Sequence, residues 1–146
     1  MEAEEVLDRL RERFGDSVKA SRVVRPGVAQ VAVPREAIHP LCQFLKDDLG
    51  FDHCSLISAV DWVNRFECVY QLASWGNRAM VQVNAIIPHD DPRIRSVADL
   101  WNGANWHERE AYDMMGIVFE GHPDLRRILL PRDFKFFPLR KDYKGE

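Results

Sequence analysis

Cysteine is scarce in this chain, and what there is does not come in pairs. Cys42, Cys54 and Cys68 are widely spaced and set among apolar neighbours. An odd count with no CxxC spacing argues against a disulfide framework, and against a zinc or iron–sulfur site built by this chain alone. Small buried side chains are the expected role. Long apolar runs are missing too. No stretch approaches the length of a membrane span, and none stands at the N-terminus as a signal segment. The expectation is a cytoplasmic chain, or one tethered to something that sits in a membrane. Nor is there an excess of one charge. Twenty Lys and Arg against 23 Asp and Glu leave a formal net charge of −3, with no global pull toward nucleic acid or an acidic membrane surface. Internal repeats, low-complexity tracts and domain linkers are also lacking.

What is present suits one domain. The 146 residues are 46% hydrophobic and 29% charged, enough for a single core of modest size. Residues 2–14 read as a helix, with Val6, Leu7, Leu10 and Phe14 on one stripe and Gly15 at its end. Strands near 17–24 and 28–33 are joined by Pro26-Gly27, where proline sets φ and glycine accepts positive φ. A second helix, about 36–49, lines up Ile38, Leu41, Cys42, Leu45 and Leu49 before Gly50. Strands at about 54–63, 66–75 and 78–87 follow, through turns at Asn64-Arg65 and Gly76-Asn77. In the third, Ala79, Val81, Val83, Ala85 and Ile87 alternate with Arg78, Gln82 and Asn84, so one face is buried and the other wet or covered by a partner. Residues 88–103 are a connection in which Ser96 and Asp99 suit the cap of a short helical turn. The expected fold class is α+β: two layers, a mainly antiparallel or mixed sheet of about five strands, and helices on one face. The order is α-β-β-α-β-β-β-α, followed by an extended irregular C-terminal tail. Residues 1–103 form the core, and 104–146 add a signature helix and tail to the same domain.

That last part is the densest in pattern. Asn105 suits the cap of a helix over 106–115, with Glu108 three residues on as a variant capping box and Gly116 closing it. Ala104, His107, Ala111, Met114 and Met115 share one face; Arg109, Glu110 and Asp113 share the opposite one, with Arg109 and Asp113 spaced as an i,i+4 pair. His107-Glu108 lacks the second histidine of a zincin, since that position is Ala111. A looser carboxylate–histidine metal site from His107, Glu110, Asp113 and His122 is the enzyme alternative. Beyond Gly121-His122-Pro123, residues Leu125 to Lys144 carry seven Lys or Arg against two Asp, interleaved with aliphatic and aromatic side chains. Pro131 and Pro138 deny them a long helix, and strand alternation is lacking. Such a segment calls for a partner surface to cover it. The rivals are a single-stranded nucleic acid, disfavoured by the net charge and the many aliphatics, and a tail that wraps back onto its own sheet.

The string WHEREAYDMMGIVFEGHPDLRRILLPRDF, followed by PLRKDY, closely resembles the 30 kDa subunit of proton-pumping NADH:quinone oxidoreductase, respiratory complex I. That family has relatives in archaeal complexes and membrane-bound hydrogenases. The match covers about residues 104–143; upstream, LISAVDW and the element order are similar but weaker. Glu108, Arg109, Glu110, Tyr112, Asp113 and Gly116 match the helix motif; Gly121, His122, Pro123, Leu125, Arg126 and Arg127 match the turn; Pro138, Leu139, Arg140, Lys141 and Asp142 match the tail. Phe136-Phe137, Lys144 and Met115 depart from the pattern.

The resemblance implies a non-catalytic peripheral-arm subunit on the cytoplasmic side of the cell membrane, attached through its complex alone. It would bind no metal and no cofactor itself. FMN, iron–sulfur clusters, NADH and quinone would belong to other subunits. The implied partners are the large quinone-chamber subunit and its cluster-bearing neighbour. The implied interface residues are Glu108, Arg109, Glu110, Tyr112, Asp113, His122, Arg126, Arg127, Arg140, Lys141 and Asp142. The alternative is the equivalent subunit of a membrane-bound hydrogenase or of a ferredoxin- or deazaflavin-dependent quinone reductase.

Overall fold

Val6, Leu7 and Leu10 recur at helical spacing, and with Ala3 they form the buried stripe of α1 (Ala3–Phe14). The computed structural model describes residues 2–130 and 137–142. Arg132, Phe134, Lys135, Phe136, Tyr143 and Lys144 of the expected tail lie outside the described residues. Gly15, at φ 51°, ends α1. The chain then turns into a hairpin of β1 (Ala20–Arg25) and β2 (Val28–Pro34). A 3₁₀ turn over Arg35–Ala37 leads into α2 (Ile38–Asp47), so Pro40 falls in the first turn, where its missing donor costs nothing. Three antiparallel strands follow: β3 (His53–Asp61), β4 (Arg65–Ser74) and β5 (Ala79–Pro88).

The sheet is mixed. Its order is β1-β2-β5-β4-β3, and β2 lies parallel to β5, with Val31 opposite Val83. The β2–α2–β3 connection thus carries the chain from one half of the sheet to the far edge, and β5 closes the gap. Register places Ala29, Val31 and Val33 of β2 beside Val81, Val83 and Ala85 of β5, and these beside Leu72, Tyr70 and Cys68 of β4. All are buried and point to one side, where α1 and α2 cover them; Phe14 of α1 meets Phe44 of α2 edge-on at 5.7 Å. Each large side chain fully enclosed there, such as Phe51, Phe66 or Leu72, contributes about 1.5–3 kcal/mol. The other side of the sheet is only half-buried. Gln82 donates to Asn84 (3.0 Å) and Asn84 to Glu67 (3.1 Å) along it.

All three cysteines are free and buried. Burial pushes the Cys42 and Cys68 thiols up and that of Cys54 to about 12, which leaves them protonated and unreactive at neutral pH.

Past the sheet, the short strands β6 (Arg93–Arg95) and β7 (Val118–Glu120) pair in parallel and bracket α3 (Ala104–Met115), which packs against β3. Neither short strand is expected from the sequence. At 96–101 the expected single turn forms: the Ser96 hydroxyl accepts the Ala98 N–H and the Trp101 N–H reaches Val97 O, while Asp99 bonds His39 instead of capping.

Candidate functional site

α3 begins two residues earlier than its sequence signals suggest. Its N-cap position is Gly103, with no side-chain cap, so Asn105 and Glu108 lie inside the helix and form no capping box. Its end is as expected: Gly116 adopts φ 77° and donates its N–H to Tyr112 O. The turn of helix leading to Gly116 is heavily bonded to the chain that follows it.

Asp113 is fully buried. Its Oδ2 accepts the backbone N–H groups of Ile128, Leu129 and Leu130 at 3.2, 2.7 and 3.0 Å, and its Oδ1 takes Arg127 Nη1 at 2.9 Å. Burial works against the charge, but Arg127 and the three N–H groups outweigh it and hold the carboxyl below the usual range. Arg127 also donates to Asp113 O, and its guanidinium lies 4.6 Å from the Phe137 ring centre and 5.8 Å from that of Tyr112. Arg109, four residues before Asp113, donates instead to the carbonyls of Arg126 (3.3 Å) and Arg127 (3.1 Å). Arg109 and Asp113 of this helix face are therefore roofed by the chain that follows it, while Glu110 stays exposed. Arg109 supplies donors to that roof and Asp113 supplies acceptors.

Glu108 points to the other side of α3. It accepts the Ser96 hydroxyl at 2.6 Å and the Val97 N–H at 2.8 Å, which tie the β6 end to the helix. Burial outweighs these donors and raises its carboxyl to about 7. His122 Nδ1 accepts the Asp124 N–H at 2.9 Å, so Nε2 carries the hydrogen and donates to Asn105 O at 3.2 Å; Nε2 also lies 4.0 Å from Glu108 Oε1.

A third anchor holds the end of the described tail. Asp61, buried at the end of β3, accepts the N–H of Val63 and of Lys141, each at 2.8 Å, and meets His89 Nε2 at 3.2 Å. Phe66 stacks on His89 at 4.3 Å between ring centres and carries the Arg140 guanidinium at 5.2 Å. Leu139 N–H bonds to Met114 O. Sequence reasoning missed Asp61 and His89 as tail anchors. The available signal was a carboxylate at a core-facing register position, opposite buried Phe66.

The eleven residues expected at an interface thus divide. Glu108, Arg109, Asp113, Arg127 and the His122 side chain face inward on partners of their own chain. Tyr112 is half-buried, edge-on to Phe137. Arg140 is half-buried and paired with Asp142 at 3.1 Å. Glu110, Arg126, Lys141 and Asp142 are exposed. The supposed metal set is dispersed, since Asp113 and His122 are committed separately and Glu110 faces outward; among the described residues no three His, Cys, Asp or Glu converge as ligands. No described helix is long and apolar enough to cross a membrane.

The wrapped segment leaves large apolar side chains outside. Leu129 is 62% exposed, Leu139 59% and Trp106, under the Arg109 guanidinium, 60%. Each sits on backbone or beside a side chain fixed by the bonds above.

A mixed five-stranded sheet with helices on one side, and a tail clamped onto it by buried carboxylates, define a two-layer α+β domain. Residues 31–146 match the family described as respiratory-chain NADH dehydrogenase, 30 Kd subunit. The chain is 43% identical over 139 residues to the C subunit of the NADH-quinone oxidoreductase of Geobacter sulfurreducens, covering 92% of this chain and 85% of that protein. It is 35% identical to the C subunit of the F(420)H(2) dehydrogenase of Methanosarcina mazei, over 99% of this chain and 94% of that one. A chain in the structure of the membrane-bound sulfane sulfur reductase, an archaeal respiratory membrane complex, superposes with a TM-score of 0.84 at 26% identity, over 97% of this chain and 85% of that chain. The protein belongs to the 30 kDa subunit family of respiratory-chain NADH dehydrogenases.

Proposed function

We propose that this chain is a non-catalytic subunit of a proton-pumping quinone oxidoreductase, seated on the cytoplasmic face of the membrane through its complex. Its task is to hold the large quinone-chamber subunit and the cluster-bearing neighbour in register. One observation carries the reading: Leu129 and Leu139 are held outward, at 62% and 59% exposure, by backbone bonds to Asp113 and to Met114. A folded chain that spends a buried ion pair and four backbone donors to display two leucines is built to be covered. Exposed Glu110, Arg126 and Lys141 frame that surface and supply the charged rim. FMN, iron–sulfur clusters, NADH and quinone would reside on other subunits. The F(420)H(2) dehydrogenase relative supports a subunit used with more than one electron donor, the donor being selected elsewhere.

Leu129→Asp combined with Leu139→Asp tests this. Both side chains are exposed, so the isolated chain should melt within about 1 kcal/mol of the parent. In cells the amount of assembled complex on a native gel should fall at least tenfold, and quinone reductase activity with it. Normal assembly by the double variant would refute the proposal.

A further inference from the structure

β4 runs ten residues, Arg65–Ser74, so its two ends stand about 30 Å apart. The tail anchors at the Asp61 end. The opposite end, at the β4–β5 loop, carries a second surface on the half-buried side of the sheet. Trp75 there is 74% exposed, and its ring is tilted over His53 at 6.1 Å between centres. Two grooves meet at Met80. One is lined by His53, Trp75 and Arg78; the other by Arg25 and Val28. Register supports the join, since Met80 lies opposite both Ala73 and Val28, on the side of the sheet away from α1 and α2.

On the open face, the charged side chains that line these two grooves are Arg78 and Arg25. Arg78 holds φ 51°, a conformation that Gly or Asn adopts with far less strain, so the loop carries a cation where a smaller residue fits better. Arg25 follows the β-bulge of β1 and is exposed. Among the described residues neither Arg25 nor Arg78 has a carboxylate within ion-pair distance, whereas Arg22 beside them is bonded to Gln30. An apolar trough with an exposed tryptophan, flanked by two unpaired arginines, is complementary to an apolar side chain flanked by carboxylates.

We infer that the β4–β5 loop end of the open sheet face is a second docking surface, which binds an acidic polypeptide segment with an apolar anchor. The anchor enters beside Met80 and Trp75, and the segment's carboxylates meet Arg25 and Arg78. This goes beyond the tail-side interface and places a different neighbour at the other end of the molecule.

A photoreactive benzoylphenylalanine in place of Trp75, in the full chain expressed in its native cells, reads the contact directly. The same probe in place of Leu129 reports the tail-side interface separately. The expected result is a cross-link from position 75 to a polypeptide segment in which an apolar residue is flanked by two or more Asp or Glu. Arg25→Glu with Arg78→Glu should lower that yield at least tenfold and leave the yield from position 129 unchanged. The inference is overturned by a cross-link to phospholipid, to a second copy of this chain, or to a segment without carboxylates. It is equally overturned by a yield indifferent to charge reversal, or by no product from position 75 when position 129 gives one. Failure at both positions overturns the tail-side reading as well.

Discussion

Five residues apart on α3, two buried carboxyls meet opposite fates. Asp113 collects three backbone N–H groups and a guanidinium, and stays charged. Glu108 has only a hydroxyl and one N–H, and burial lifts it to about 7. The difference has a sign that can be measured. An unfolded chain loses the Glu108 proton near its ordinary value of 4.5, whereas the folded chain keeps it until about 7. The native state therefore binds the extra proton between those values, and Glu108's contribution to stability is full below about 4.5 and lost as pH rises to 7. The whole window is worth up to about 3 kcal/mol. Melting the parent and Glu108→Gln side by side from pH 4.5 to 8 should show the variant gaining on the parent as pH rises; parallel curves would contradict the assignment. Asp113 works in the opposite direction, stabilising above the ordinary carboxylate range and failing as pH falls through its lowered value. Asp113→Ala leaves the buried Arg127 and three N–H groups without their acceptor, and should cost about 3–5 kcal/mol. It should also open the chain to trypsin after Arg126 and Arg127, read as new fragments by mass spectrometry.

For the elements, the end of α3 and the tail form one unit through Gly116. A Cβ there meets the Phe137 ring at 2.8 Å, and the backbone already sits at φ 77°. Gly116→Ala should therefore destabilise by about 1–3 kcal/mol and release Leu139 N–H from Met114 O, seen as faster amide exchange at Leu139. Unchanged exchange would mean the ring yields instead. The Gly116 stop was legible because a C′ glycine is a local signal. The role of Glu108 was not, since it depends on Ser96, twelve residues upstream and brought close only by tertiary packing. Arg109 and Asp113 read as an i,i+4 pair at an outside interface for the same reason: nothing in α3 announces that Arg126 to Leu130 will fold over it. β6 and β7, three residues each, are too short to show a period.

At the scale of the whole molecule, the five strands and two covering helices were readable from alternation, Pro26-Gly27 and Gly50, and the α+β class with them. The parallel seating of β2 beside β5 was not, because adjacent hairpins fix only neighbours in sequence. The expectation of a tail needing an outside surface meets a more local arrangement. The backbone N–H groups of Ile128, Leu129, Leu130, Leu139 and Lys141 bond within the chain, to Asp113, Met114 and Asp61, while Leu129 and Leu139 still stand exposed. The seam between β2 and β5 has a temporal consequence. Val28–Pro34 leaves the ribosome some fifty residues before Ala79–Pro88, the strand that must lie against it. During synthesis the first hairpin waits with an unmatched ladder, and neither half of the sheet can close until the last of the five strands arrives. Its closure is in effect a check that the nascent polypeptide has been made at least as far as Pro88.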